Sequence, residues 1–184
     1  MDKHENSYRQ YISGDDSYLV DIIKEYSDGL ILYINRIVND IYISEDLMQE
    51  TFVKLVTKRP RFPKKLSLKV WLYTVAHNLS IDYIRRHKQV TVQLDEIGEQ
   101  LSDKTSIEHA YIRDEDKLIL HRAMDHLKSE HSQAIWLVFF EDFGNRDAAR
   151  IMKMTPHQFE NLLYRAKGAL KRELEKEGFT YEKL

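Results

Sequence analysis

Ten Lys or Arg side chains fall between Thr51 and Lys88 with a single acid, Asp82, among them, so this stretch carries +9. The whole chain of 184 residues has a formal net charge of −2, which leaves −11 for the remainder. Concentrated cations on an otherwise acidic protein are what neutralising a run of phosphates requires, whatever the overall pI. Rings lie among those cations, and a ring can stack on an unpaired base. Arg59, Arg61, Phe62, Lys64 and Lys65 form one cluster. Lys69, Tyr73 and His77 follow, spaced four apart and therefore on one face of a helix. Asn78, Asp82 and Arg85 share another face, and Arg86 and Lys88 close the segment. Asp82 can tie Arg85 or Arg86 into a structural network or leave them for DNA; the spacing allows both. Trp71 is read as core rather than as a base platform, because an aromatic at helical spacing usually packs inward.

Other chemistries find little support. The chain has no cysteine, which excludes a disulfide framework, a thiolate metal site and a thiol nucleophile. His121, His126 and His131 recur every five residues, which sets neighbours about 140° apart on a helix instead of converging on one ion. We therefore expect these histidines at the surface or at helix ends, and no metal or other cofactor. There is no His-Glu-x-x-His pair, nucleophile elbow or glycine-rich phosphate loop, so a metal-dependent nuclease is a weak alternative and no small-molecule substrate is indicated. The N-terminus lacks the basic start and apolar middle of a secretory signal, and no apolar run is long enough to cross a bilayer, so we expect a cytoplasmic protein without membrane insertion.

The elements that must position these residues are helical. Leu19, Ile22, Ile23 and Tyr26 predict one helix, and Leu30, Ile31, Tyr33, Ile34, Ile37 and Val38 a second after Ser27-Asp28-Gly29. A third is predicted from Ser44, as N-cap, to about Thr57, with Met48, Phe52, Leu55 and Val56 inward and Asp46, Gln49, Glu50 and Val53 outward. The proline-containing, cation-rich segment from Lys58 to Ser67 reads as a loop, and Ser67 can cap a helix from about Leu68 to Lys88 with an apolar stripe of Leu68, Leu72, Val75, Leu79 and Tyr83. From Gln89 to Asp116 eight acids face two cations, the composition of an acidic linker.

In the second half an apolar run from Ala134 to Phe140 precedes a short helix that Asn145 can cap. A turn at Lys153-Met154 leads to Thr155, Pro156 and Gln158, which occupy N-cap, first-turn proline and capping-box positions of a longer helix. Phe159, Leu162, Leu163, Ala166, Leu170 and Leu174 give that helix a continuous apolar face. A short helix, a tight turn and a longer amphipathic helix form the pattern of a helix-turn-helix. Its second helix would present His157, Glu160, Asn161 and Tyr164 to base edges, with Arg165, Lys167 and Lys171 nearer the phosphates. Glu160 can accept from cytosine or simply repel DNA.

Together the two halves resemble the extracytoplasmic-function sigma factors of bacterial RNA polymerase. SEDLMQETFVKL and KVWLYTVAHNLSIDYIRRHK resemble region two of that family, and DAARIMKMTPHQFENLLYRAKGAL its region-four helix-turn-helix. The chain departs from the pattern at Lys128, at Lys153 where a glycine is usual, and at Glu160. The resemblance implies an all-α protein of two small helical domains, a region 2 bundle at residues 1–88 and a region 4 helix-turn-helix at 114–184, joined by an acidic linker at 89–113. It implies a non-enzymatic factor that binds core RNA polymerase and promoter DNA and is restrained by an anti-sigma factor. Asp46, Gln49, Glu50 and Val53 would meet the polymerase. The cluster from Arg59 to Lys88 would read and trap the minus-ten element. The linker would thread the polymerase channel, or serve as a plain tether. A sigma-like decoy that sequesters an anti-sigma factor without binding promoters is the alternative.

Overall fold

The computed structural model describes residues 3–62, 67–91 and 115–176, and side chains within 6–62, 67–87 and 120–176. Its helices fall into two compact units, Met1–Gly98 and Glu99–Leu184. No strand occurs among the described residues, as an all-α fold requires. The expected linker lies almost wholly outside them, as do Lys64, Lys65 and the side chain of Lys88.

Among the described residues the first unit has four helices: α1 Lys3–Ile12, α2 Ser17–Val38, α3 Ile41–Lys58 and α4 Leu68–Thr91. α2 packs against each of the other three. It runs unbroken through Ser27-Asp28-Gly29, where two helices were expected. Ile22, Tyr26, Leu30, Tyr33, Ile34 and Ile37 keep helical spacing across that point, and all are buried. Burying any one of these side chains is worth roughly 1.5–3 kcal/mol, more than the ~1 kcal/mol that a mid-helix glycine costs. The apolar face wins over the local breaker.

α3 is capped four residues before the expected site. Asp40 is its N-cap, and Oδ1 accepts from the amides of Tyr42 at 3.0 Å and Ile43 at 3.1 Å. Ser44 is fully buried inside the helix, its hydroxyl donating to the carbonyl of Asp40. The carboxylate is closer to the unsatisfied amides, and capping follows it. Arg59 ends α3 in the left-handed conformation, φ 41°, with its amide donating to the Leu55 carbonyl. Ser67 caps α4 as expected, its hydroxyl accepting from the amide of Val70.

In the second unit, α5 spans Glu115–Asp125 and α6 Ser129–Ile135. α6 widens into a π-helical turn, Trp136–Phe140, closed by the Glu141 amide on the Trp136 carbonyl. α7 is Asn145–Ile151 and α8 is Pro156–Lys176. Gly144, not Asn145, takes the N-cap of α7, and no side chain bonds there. α8 packs on α5, α6 and α7 through Phe159, Leu162, Leu163 and Ala166.

Capping sets the design of the turn between α7 and α8. The amide of Met154 donates to the Ala149 carbonyl at 2.8 Å and that of Lys153 to Arg150 at 3.2 Å, the two bonds of a Schellman ending. Lys153 fills the left-handed position usually given to glycine, φ 54°. Thr155 and Gln158 then form the expected reciprocal box, amide to side chain in both directions. His121 departs from expectation: it is 4% exposed and edge-on to Trp136 and Phe140, with centroids 5.2 and 5.1 Å apart. It is a core residue, neither surface nor cap.

The capping assignment is directly measurable. Asp40→Ala should lower the unfolding free energy of the first unit by about 1 kcal/mol in urea titrations. Ser44→Ala should cost less, because its hydroxyl bonds a carbonyl already within the helix; the reverse order would return the cap to Ser44.

Candidate nucleic-acid and polymerase interfaces

The outer face of α3 presents Asp46, Gln49, Glu50 and Val53 to solvent, as expected. Glu50 pairs with Lys54 at 3.1 Å, one turn on. Two neighbours differ from expectation. Met48 is half-buried and Val56 is 38% exposed, because among the described residues no helix covers that side of α3. With Ile23 of α2, Phe52, Val53 and Thr57 they line an open groove of about 340 Å³ with Gln49 at its edge. The ridge of polar groups therefore borders an apolar floor, and Val53 belongs to both.

The cationic segment divides in the folded chain. Tyr73 and His77 were expected beside Lys69 on an open face, but Tyr73 is 0% and His77 7% exposed. That face of α4 turns toward α2. The Tyr33 ring lies 5.3 Å from that of Tyr73, and a 3.1 Å hydrogen bond joins Tyr33 Oη to His77 Nδ1. Aromatic residues one turn apart supply the apolar stripe α4 needs, so burial claims them before any ligand can. Lys69 is half-buried with its ammonium 6.0 Å from the Tyr73 ring centre, where the alkyl stem can cover the ring and leave the charge near water. Among the expected apolar stripe only Leu68 and Leu72 are buried, while Val75, Leu79 and Tyr83 are intermediate.

Arg59, Arg61, Arg85 and Arg86 remain exposed. Asp82 pairs with Arg85 at 3.1 Å, which realises the structural network the spacing allowed. The pair is exposed, so it holds Arg85 only loosely. Phe62 and Trp71 are both half-buried, their centroids 6.2 Å apart, and each keeps some surface open. Trp71 is thus neither wholly core nor a free platform. Asn78 is half-buried, and its side-chain oxygen has no hydrogen-bond partner among the described residues. Sequence reasoning placed Tyr83 in the apolar stripe, yet it stacks on His87 at 3.9 Å beside Arg86. It also passed over Tyr8 and Tyr11 of α1. The Tyr-x-x-Tyr spacing was the available signal, since it sets both rings on one side of a helix.

In the second unit His157, Glu160, Asn161, Tyr164, Arg165, Lys167 and Lys171 are all exposed on α8, with Tyr164 at 81%. Their inward neighbours Phe159, Leu162 and Leu163 anchor the helix. Asn161 Nδ2 lies 3.2 Å from His157 Nε2, and Arg165 donates to the Asn161 carbonyl at 3.3 Å. Lys167 sits 5.1 Å over the ring of Phe139, which the π-helical turn leaves 55% exposed. Lys171 approaches Glu175 at only 3.9 Å. Burial, with Arg165 and Lys128 nearby, lowers the pKa of His131. Protonating it would add charge to an already positive side of α6 and α8. Among the described residues no three His, Asp or Glu side chains come together as metal ligands would, and no helix is long and apolar enough to cross a membrane.

A unit of packed helices with most of its charged groups turned outward and a helix-turn-helix unit together have the form of a two-part nucleic-acid-binding protein. The sigma-70 region 2 family matches residues 22–90 and the sigma-70 region 4 family residues 117–170. The ECF RNA polymerase sigma factor SigM of Bacillus subtilis (strain 168) is 28% identical over 152 residues, covering 82% of this chain and 91% of that protein. The RNA polymerase sigma factor SigV of the same organism is 31% identical over 135 residues, 73% of this chain and 78% of that one. The solved sigma factor RpoE of Bartonella quintana, in complex with the anti-sigma factor NepR, shares the fold with a TM-score of 0.66 at 23% identity, over 84% of this chain and 97% of that one. The chain belongs to the extracytoplasmic-function RNA polymerase sigma factors.

Two tyrosines give a check on the packing of the first unit. Burial pushes Tyr8 up to about 12, with Tyr11 adding to the rise and Arg59 opposing it, and complete burial pushes Tyr33 higher still. A raised phenol pKa stabilises the fold fully below pH 10, the unfolded value, and that contribution is lost as pH climbs through the folded value. Stability of this unit should therefore fall between pH 10 and 12. Absorbance at 295 nm should show Tyr8 and Tyr33 among the phenols that resist ionisation until then, and one such phenol fewer in Tyr8→Phe.

Proposed function

We propose that this sigma factor docks on core RNA polymerase through Asp46, Gln49, Glu50 and Val53 on the outer face of α3. The surface around Arg59, Arg61, Phe62, Lys64, Lys65 and Lys69, with Arg85, Arg86 and Lys88, engages the minus-ten element and holds it open. α8 reads an upstream element through His157, Glu160, Asn161 and Tyr164, with Arg165, Lys167 and Lys171 on the phosphates. The observation that carries this reading is the separation of two surfaces on one four-helix unit. A polar ridge beside an apolar groove lies on α3, and the exposed cations follow where α3 ends.

The energetics agree with that division. Unstacking costs about a few kcal/mol per step, and a stacking contact returns roughly one to three per base, so melting without ATP needs rings and cations on one surface. With Tyr73 and His77 buried, the exposed edges of Phe62 and Trp71 supply the rings, and Tyr83 with His87 supplies a second set. Factors of this family are transcription initiation factors and not enzymes, so the catalytic step belongs to the polymerase. RpoE of Bartonella quintana is captured with an anti-sigma factor, and an anti-sigma factor is the inhibitor we assign to this chain. Its site of action is the cytoplasm, where polymerase and promoter meet.

Arg61→Glu combined with Lys64→Glu and Lys65→Glu should reduce open-complex formation roughly tenfold or more while polymerase affinity holds. Gln49→Ala with Glu50→Lys should do the opposite, weakening polymerase binding in a competition assay. Permanganate footprinting with reconstituted polymerase checks both. A chain that binds polymerase but opens no promoter on genomic DNA would be a decoy.

A further inference from the structure

α1 lies before the region 2 match, which begins at residue 22, and packing is the only task so far given to it. Its two tyrosines are 5% and 1% exposed. The hydroxyl of Tyr8 donates to the carbonyl of Pro60 at 2.7 Å, and its ring lies 5.0 Å from that of Phe62. The guanidinium of Arg59 lies over the ring of Tyr11, 5.3 Å from its centre. Phe62 is in turn 6.2 Å from Trp71 of α4. Three of the four residues after α3 are thus gripped from α1, and Arg61, between held neighbours, is exposed. Arg59 also has φ 41°, a backbone conformation that a non-glycine residue keeps only when its surroundings enforce it.

We infer that α1 is a brace for the segment Arg59–Phe62 that follows α3, with Tyr8 and Tyr11 as positioning residues that hold Arg59, Pro60 and Phe62 in the pose from which this surface meets single-stranded DNA. The inference rests on the DNA-binding role proposed above. Neither tyrosine need touch DNA, since both are buried. Their effect is preorganisation: Arg59, Pro60 and Phe62 are placed when the chain folds, so placing them is not charged against DNA capture. The polymerase ridge on α3 contributes nothing to this contact, so the two functions should separate on mutation.

The test uses the full chain assembled at saturation with core polymerase on a promoter selected from genomic DNA. Tyr8→Phe keeps the ring and removes the bond to Pro60. Tyr11→Leu removes the surface beneath Arg59. Each should lower the open-complex equilibrium, read by permanganate reactivity, about fivefold, with polymerase affinity unchanged. In an Arg61→Ala background the loss from Tyr8→Phe should shrink to less than twofold, because brace and cation act through one surface. Opening within twofold of the parent in both tyrosine variants, while Arg61→Glu abolishes it, would overturn the brace and leave the DNA-binding role standing. A parallel loss of polymerase affinity would also overturn it, by reducing α1 to general stability, as would a gain in opening, which would make α1 a restraint. If Arg61→Glu itself opened promoters normally, the DNA-binding role would be the part that fails.

Discussion

The first unit is organised by one constraint, the need to cover α2. From Leu30 to Ile37 seven of eight consecutive residues are buried, so this helix must be surrounded and not merely packed on one side. α1, α3 and α4 supply the cover, and each is amphipathic enough to give up one face. Their remaining faces point outward as a consequence. The α3 ridge and the exposed arginines of α4 are therefore by-products of burying α2. Inside that core Tyr33 and His77 satisfy one another across α2 and α4, and Arg36 is buried there as well.

In each unit one helix stops at an exposed cation, and the stop is a costly one. Arg59 after α3 and Lys153 after α7 both adopt left-handed backbone without being glycine. Such residues carry a penalty on the order of 1 kcal/mol, so neighbouring bonds must hold them. At Lys153 the Schellman bonds and the capping box do so, and the turn keeps its geometry without the family's glycine. At Arg59 the contact with Tyr11 and the bond from Tyr8 to Pro60 do so. A sharp stop places a charged side chain at the start of the next segment, where it can be displayed.

α8 illustrates how little the core constrains recognition. Phe159, Leu162, Leu163 and Ala166 fix its position, and the opposite face is left to side chains that contact one another lightly or not at all. Glu160 is exposed on that face, so exchanging it leaves the packing of α8 undisturbed. The π-helical turn before α7 has a related effect, since it turns Phe139 outward under Lys167.

Much of this was legible in the residues alone. Charge counting found the cationic segment, and spacing found the outer face of α3 and the buried face of α8 from Phe159 to Ala166, though Leu170 and Leu174 beyond it are only half-buried. Thr155, Pro156 and Gln158 announced the helix-turn-helix, because capping depends on contacts three residues apart that a sequence states outright. What only the tertiary structure decided were questions of competition. Ser27-Asp28-Gly29 looked like a break until the apolar face on both sides outweighed it. Ser44 looked like a cap until the helix began earlier, with Asp40 accepting from the amides of Tyr42 and Ile43 and Ser44 left inside it. Lys69, Tyr73 and His77 share a helical face in any register, yet whether that face meets solvent or α2 depends on a helix some forty residues earlier, and Tyr33 claimed it. The pairing of α1 with the Arg59–Phe62 connection spans a still longer separation, and periodicity within one helix carries no information about which distant ring will come to rest against it.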